Sequence, residues 1–120
     1  MKAVLLVAIG GALGAVARYG VSLFLQRRAG ADWPWATLLI NVSGCLLIAL
    51  VLGMSEVRDE VRLLIPVGFI GAYTTFSTYE MEVFRLVQGG SGLLALAYVA
   101  ASNVLGFGAV LLGIALTRKR

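Results

Sequence analysis

At 120 residues and a net charge of +4 the chain has the length of one small soluble domain, yet 60% of it is hydrophobic and only 13% is charged. That balance excludes an ordinary globular fold, whose core has no room for so much apolar surface. The excess charge is not a nucleic-acid footprint, because Arg118, Lys119 and Arg120 end the last apolar stretch, where basic residues meet lipid headgroups.

A bilayer core about 30 Å thick takes roughly 20 apolar residues per helix. Four stretches qualify: Ala3 to Leu25, Trp35 to Met54, Leu63 to Phe84 and Leu93 to Thr117. The sequence therefore predicts an all-α membrane protein, with one domain of four transmembrane helices filling residues 1–120. Lys2, the apolar run after it and Ala15-Val16-Ala17 have the form of a cleavable secretory signal, but hydrophobicity resumes through Val21 to Leu25, as a span requires. The connectors are short and hold most of the charge. Gln26 to Pro34 carries Arg27, Arg28 and Asp32; Ser55 to Arg62 carries Glu56, Arg58, Asp59, Glu60 and Arg62; Arg85 to Gly92 turns on Gly89 and Gly90.

In the first span, Gly10, Gly11 and Gly14 allow a neighbouring helix to approach closely, as do Gly106 and Gly113 in the fourth; either a helix of the same subunit or one of a second copy suits them. Arg18 has two readings, snorkelling outward or lining a vestibule that attracts anions.

The second span carries Thr37, Asn41 and Gly44 on one helical face, which aligns a hydroxyl, an amide with two donors and a gap. The same spacing serves an Asn that bridges helices. Cys45, the only cysteine, reads as a small packing residue. With no histidine and a single cysteine, the chain can have no intramolecular disulfide, no Cys/His metal cluster and no histidine-based catalytic triad; no enzyme is expected.

The third span contains Gly71-Ala72-Tyr73-Thr74-Thr75-Phe76-Ser77-Thr78-Tyr79, a poor lipid-facing helix. A break between Gly71 and Thr75 would free carbonyls that protein, water or a cation must satisfy; a kinked helix whose hydroxyls bond back to the preceding turn is the alternative. Phe76 and Tyr79 share a face and can turn positive ring edges to an anion, or simply pack. Glu80 and Glu82 are expected to reach an interface, leaving no carboxylate at the centre of a span.

In the fourth span Tyr98, Ser102 and Gly106 recur at intervals of four, and Asn103 is expected to tie helices together. Asn41, Thr37, Ser102, Tyr98, the aromatic edges and Arg18 together make an inventory suited to an anion.

Four spans put both termini on one side. Six basic residues (Lys2, Arg58, Arg62, Arg118, Lys119, Arg120) then face four (Arg18, Arg27, Arg28, Arg85), too small a bias to fix one orientation. Two oppositely inserted copies could pair about an axis in the membrane plane, giving an antiparallel, dual-topology dimer.

Three motifs, Gly10-Gly11-Ala12-Leu13-Gly14-Ala15-Val16-Ala17-Arg18-Tyr19, Thr37-Leu38-Leu39-Ile40-Asn41-Val42-Ser43-Gly44 and Gly71 to Tyr79, together resemble the Fluc (CrcB-like) fluoride channels of microbes. The resemblance covers nearly the whole chain, in order. It implies an antiparallel homodimer with two fluoride pores in a microbial plasma membrane, the inner membrane of a Gram-negative cell. Asn41, Phe76 and Tyr79 would line the path, with Thr37, Thr75, Ser77, Tyr98, Ser102 and Arg18 beside it. Gly71 and Thr74 would give backbone carbonyls to a central structural sodium ion, and Glu82 matches an acidic residue after the aromatic motif. Three positions depart from the pattern: Tyr79 stands where a second Phe is usual, Ala72 replaces a Gly, and Gly106 replaces a hydroxyl residue. Some relatives pair unlike subunits.

The function these readings predict is passive export of toxic fluoride, a small and tightly hydrated ion whose water must be replaced by close donors. A small proton-coupled multidrug exporter, also of dual topology, would need a carboxylate in the first span, where the chain has Arg18 and no Asp or Glu. A membrane scaffold would use the same polar residues only to hold helices together.

Overall fold

The computed structural model describes residues 1–29 and 33–118; Asp32 of the first connector and Lys119 and Arg120 of the basic tail lie outside the described residues. Among the described residues the secondary structure is entirely helical. Helix α1 (Lys2–Ala29), α2 (Trp35–Leu52) and α6 (Gly92–Thr117) are each long and apolar enough to cross a membrane. Their ends agree with the predicted spans to within about one turn. Val4, Leu5, Ile9, Val16, Leu96, Val104, Phe107 and Leu111 are all exposed. An exterior this apolar is the inverse of a soluble surface and suits a hydrocarbon solvent.

The predicted third span is assembled from several pieces. Helix α3 (Asp59–Arg62) starts with Asp59 and Glu60 at its positive end and runs directly into a π-helical segment, Leu63–Ile70, and then into α4 (Gly71–Tyr73). Pro66 lies inside the π-helical segment. A proline in an α-helix deletes one bond and clashes with the carbonyl four residues back; the wider winding relieves that clash.

The chain then leaves helical geometry. Thr74 (φ −79°, ψ 157°) and Thr75 (φ −150°, ψ 111°) are extended, and α5 (Phe76–Gln88) restarts with Thr75 as its cap, the side-chain oxygen accepting the Thr78 N–H. This interruption falls inside the stretch Gly71 to Thr75 where the sequence places it.

The turn after α5 uses both glycines named from sequence. Gly90 takes φ +79°, the Gly90 N–H bonds to Val87 O at 3.0 Å, and the Ser91 N–H reaches Leu86 O at 2.8 Å. That pair of bonds is the Schellman arrangement, which needs a residue tolerant of left-handed geometry.

Packing follows the small residues. Helix α1 lies against the π-helical segment, where a Cβ on Gly10 would run into the Leu64 carbonyl and one on Gly14 into the Phe69 carbonyl. Helix α2 lies against α6, with Gly113 fitted over Ala49 and the backbone of Leu46 and Leu50. Outside the apolar segments, Lys2 bonds to Glu60 at 2.9 Å with Arg58 at 3.6 Å. The Lys2 hydrogen bond, a backbone bond and the two positive charges hold the Glu60 carboxyl below the usual range.

Candidate functional site

The site begins at the break. An interrupted helix strands backbone groups that lipid cannot satisfy. Asn41, on α2, takes two of them at once: its Nδ2 donates to the Thr75 carbonyl at 3.2 Å and its Oδ1 accepts the Thr75 N–H at 2.9 Å. Gly44, one turn further along α2, makes this approach possible, since a Cβ there would collide with the Thr74 methyl. The Thr74 hydroxyl bonds back to Ile70 O at 3.0 Å. Of the two alternatives raised by the sequence, the structure has the break rather than a kinked continuous helix, with one threonine hydroxyl also bonded to the preceding turn.

Two further side chains brace the same point. The Arg18 Nε donates to the Ala72 carbonyl at 3.1 Å, which binds Arg18 to the end of α4. The Tyr73 hydroxyl and Ser43 Oγ share a hydrogen bond of 3.0 Å.

Helical winding would pair the Gly71 carbonyl with the Thr75 N–H and the Thr74 carbonyl with the Thr78 N–H. Both donors turn to side chains instead, Thr75 N–H to Asn41 Oδ1 and Thr78 N–H to Thr75 Oγ1. The carbonyls of Gly71 and Thr74 are therefore deprived of their helical donors, and unwound carbonyls of this kind suit a hard monovalent cation. Among the described residues no three His, Cys, Asp or Glu side chains gather as metal ligands.

A hollow of about 310 Å³ opens beside the break, lined by Asn41, Gly44, Cys45, Ile70, Thr74, Thr75 and Phe76. Phe76 is 74% exposed while Tyr79 is 8% exposed, so the pair, tilted with centroids 5.8 Å apart, does not share one environment. Ser77, also expected on the path, is exposed one residue beyond Phe76.

A second polar centre joins three helices. Glu82 of α5 accepts from the Thr37 hydroxyl of α2 at 2.8 Å and from the Tyr98 hydroxyl of α6 at 2.7 Å. Short hydroxyl-to-carboxylate bonds are charge-assisted and stronger than neutral ones. Glu82, expected near the membrane interface, is half-buried and tied to two partners, whereas Glu80 is exposed. Spacing along α5 could not show this, because both partners come from other helices. Tyr98 is fully buried, and Ser102 Oγ, one turn on, is buried without a partner among the described residues. Asn103 bonds to Val99 O of its own helix at 2.8 Å and among the described residues ties no second helix.

Aromatic rings connect the two centres. From Phe76 the row runs to Tyr79 (5.8 Å), Tyr98 (5.2 Å), Trp33 (5.7 Å) and Trp35 (5.8 Å). Sequence reasoning missed Trp33, whose signal was the pairing Trp33-Pro34-Trp35 just before a span.

The family described as CrcB-like protein, Camphor Resistance (CrcB), matches residues 5–114. The chain belongs to the CrcB family. Relatives described as fluoride-specific ion channel FluC include the following three. The protein of Acidobacterium capsulatum is 49% identical over 89% of each chain. That of Nitrobacter hamburgensis is 44% identical over 96% of this chain and 94% of its own. That of Chloroflexus aurantiacus is 41% identical over 98% and 97%. This CrcB-family chain is thus a multi-pass membrane protein whose matched region contains the break, the Asn41 clasp and the Glu82 centre.

Proposed function

We propose that the chain is a fluoride-selective passive channel that exports the ion from the cytoplasm across a bacterial plasma membrane, and that it catalyses no chemistry. The observation that carries this reading is Asn41, an uncharged amide anchoring a broken helix beside a hollow that also receives the ring of Phe76. One of its two amide N–H donors is engaged by Thr75, which leaves the other for an ion. Uncharged donors and ring edges can replace the water of a small anion while binding it weakly enough to release it. The relatives described as fluoride-specific channels support the choice of ion.

In this reading the pieces from Leu63 to Gln88 form the third of four spans, and two copies assemble antiparallel. A Phe ring 74% exposed on one subunit is well suited to complete a path against its partner. Gly71 and Thr74 carbonyls from each copy would hold a sodium ion at the centre, where it lowers the electrostatic cost of an anion in low dielectric. Arg18 steadies that end of the break. The proton-coupled exporter is disfavoured because α1 carries no carboxylate.

Liposomes loaded with fluoride and containing the purified chain test the proposal with a fluoride electrode. Rapid fluoride loss with no chloride loss is the expected result. Drug uptake driven by a proton gradient would establish the exporter instead, and silence in both assays would leave a scaffold.

A further inference from the structure

The Trp33 indole N–H is buried and has no hydrogen-bond partner among the described residues. An indole nitrogen is a donor only, and leaving a buried donor unpaired is costly enough to be uncommon and to call for a cause. Its surroundings narrow that cause. Pro34 has φ −78° and ψ 57°, and the Trp35 N–H reaches back to the Trp33 carbonyl at 2.8 Å, an inverse γ-turn that fixes where the Trp33 ring leaves the connector. The ring meets Tyr98 at 72° with centroids 5.7 Å apart. It also packs on the cluster of Leu38, Tyr79 and Tyr98.

Two of the hydroxyl donors at this end of the row are already engaged. The hydroxyls of Thr37 and Tyr98 both point their protons at Glu82. An anion passing this end of the aromatic row thus finds neither hydroxyl available while both hold Glu82.

We infer that the Trp33 indole N–H is a fluoride-coordinating donor at the connector end of the route, covered at rest and presented when the ring turns from the edge of Tyr98. The inference rests on the channel reading and deepens it, by adding a coordinating group outside the second, third and fourth spans. It accounts for a buried donor left without a partner among the described residues: the partner is the transported ion. Selectivity follows, since a small, strongly accepting anion gains most from a single close N–H.

The test uses the full chain reconstituted in nanodiscs and liposomes. With two tryptophans, 15N labelling of Trp gives two indole signals, and Trp35→Phe assigns them. Titration with fluoride is expected to move the Trp33 indole proton downfield, and chloride at the same concentration to leave it in place. Trp33→Phe, which keeps a ring but removes the donor, is expected to lower fluoride efflux about tenfold or more. An indole signal blind to fluoride, or moved equally by chloride, overturns the inference even if the variant fails to fold. Wild-type efflux in a folded Trp33→Phe also overturns it and leaves the channel intact. A wild-type chain that passes no fluoride overturns the channel reading, and this inference with it.

Discussion

Replacing Asn41 by Asp keeps an oxygen for the Thr75 N–H but sets a second acceptor, carrying negative charge, against the Thr75 carbonyl. Fluoride flux should fall at least about tenfold in the liposome assay, since one charge-assisted donor is worth about 1.5–3 kcal/mol. Asn41→Leu abandons both Thr75 groups, each costing about 1–3 kcal/mol when buried and unpaired, and should lower the unfolding temperature in detergent markedly. Phe76→Ile separates transport from stability. The ring is largely open in one subunit, so flux should drop while the thermal unfolding of the isolated chain barely changes. At this scale the sequence disclosed residue types more readily than their partners. Asn41 stood out because an amide in hydrocarbon demands a reason, but that it would pair with both backbone groups of one threonine depended on where the break fell. Thr37 and Tyr98 were legible as polar positions in apolar spans, whereas their common partner Glu82 sat on a third helix that spacing could not bring to them.

Between elements, the contact of α1 with the π-helical segment depends on missing side chains. Gly14→Ala places a methyl against the Phe69 carbonyl and should destabilise by about 1–3 kcal/mol. Gly20 offers the matched comparison on the same helix, because a Cβ there meets nothing within 4 Å. Gly20→Ala should therefore raise stability by about 0.5–1 kcal/mol through helix propensity, and paired unfolding curves check the opposite signs. Hydropathy located α1, α2 and α6 because lipid imposes length and apolarity directly on the sequence. The interruption in the third stretch was legible too, from glycine followed by clustered hydroxyls. The π winding was not: Pro66 announces a disturbed helix, but whether the chain kinks, breaks or widens is decided by what packs beside it, here the glycine face of α1.

For the molecule as a whole, the Lys2–Glu60 pair ties the first residues of α1 to the start of α3. Because Glu60 is held below the usual carboxylate range, the pair supports the fold above that range, and the support is lost as pH falls through the lowered value. Unfolding temperature should decline on acidification from about pH 5 to about pH 3, and Glu60→Gln should flatten part of that decline. Lys2 is largely and Glu60 partly open to solvent, so the effect is modest and shrinks with salt. If Gly71 and Thr74 carbonyls hold sodium between copies, replacing sodium by a bulky organic cation should shift the assembly toward single chains, as read by mass photometry. The clasp between Asn41 and Thr75 carries a consequence for how such a chain can evolve. A point substitution along α2 leaves the amide aimed at the gap, but loss or gain of one residue between Trp35 and Asn41 turns it by about 100° around the helix axis. Lineages descending from this sequence should therefore conserve the count there even where residues other than Thr37 and the buried Leu38 and Ile40 change.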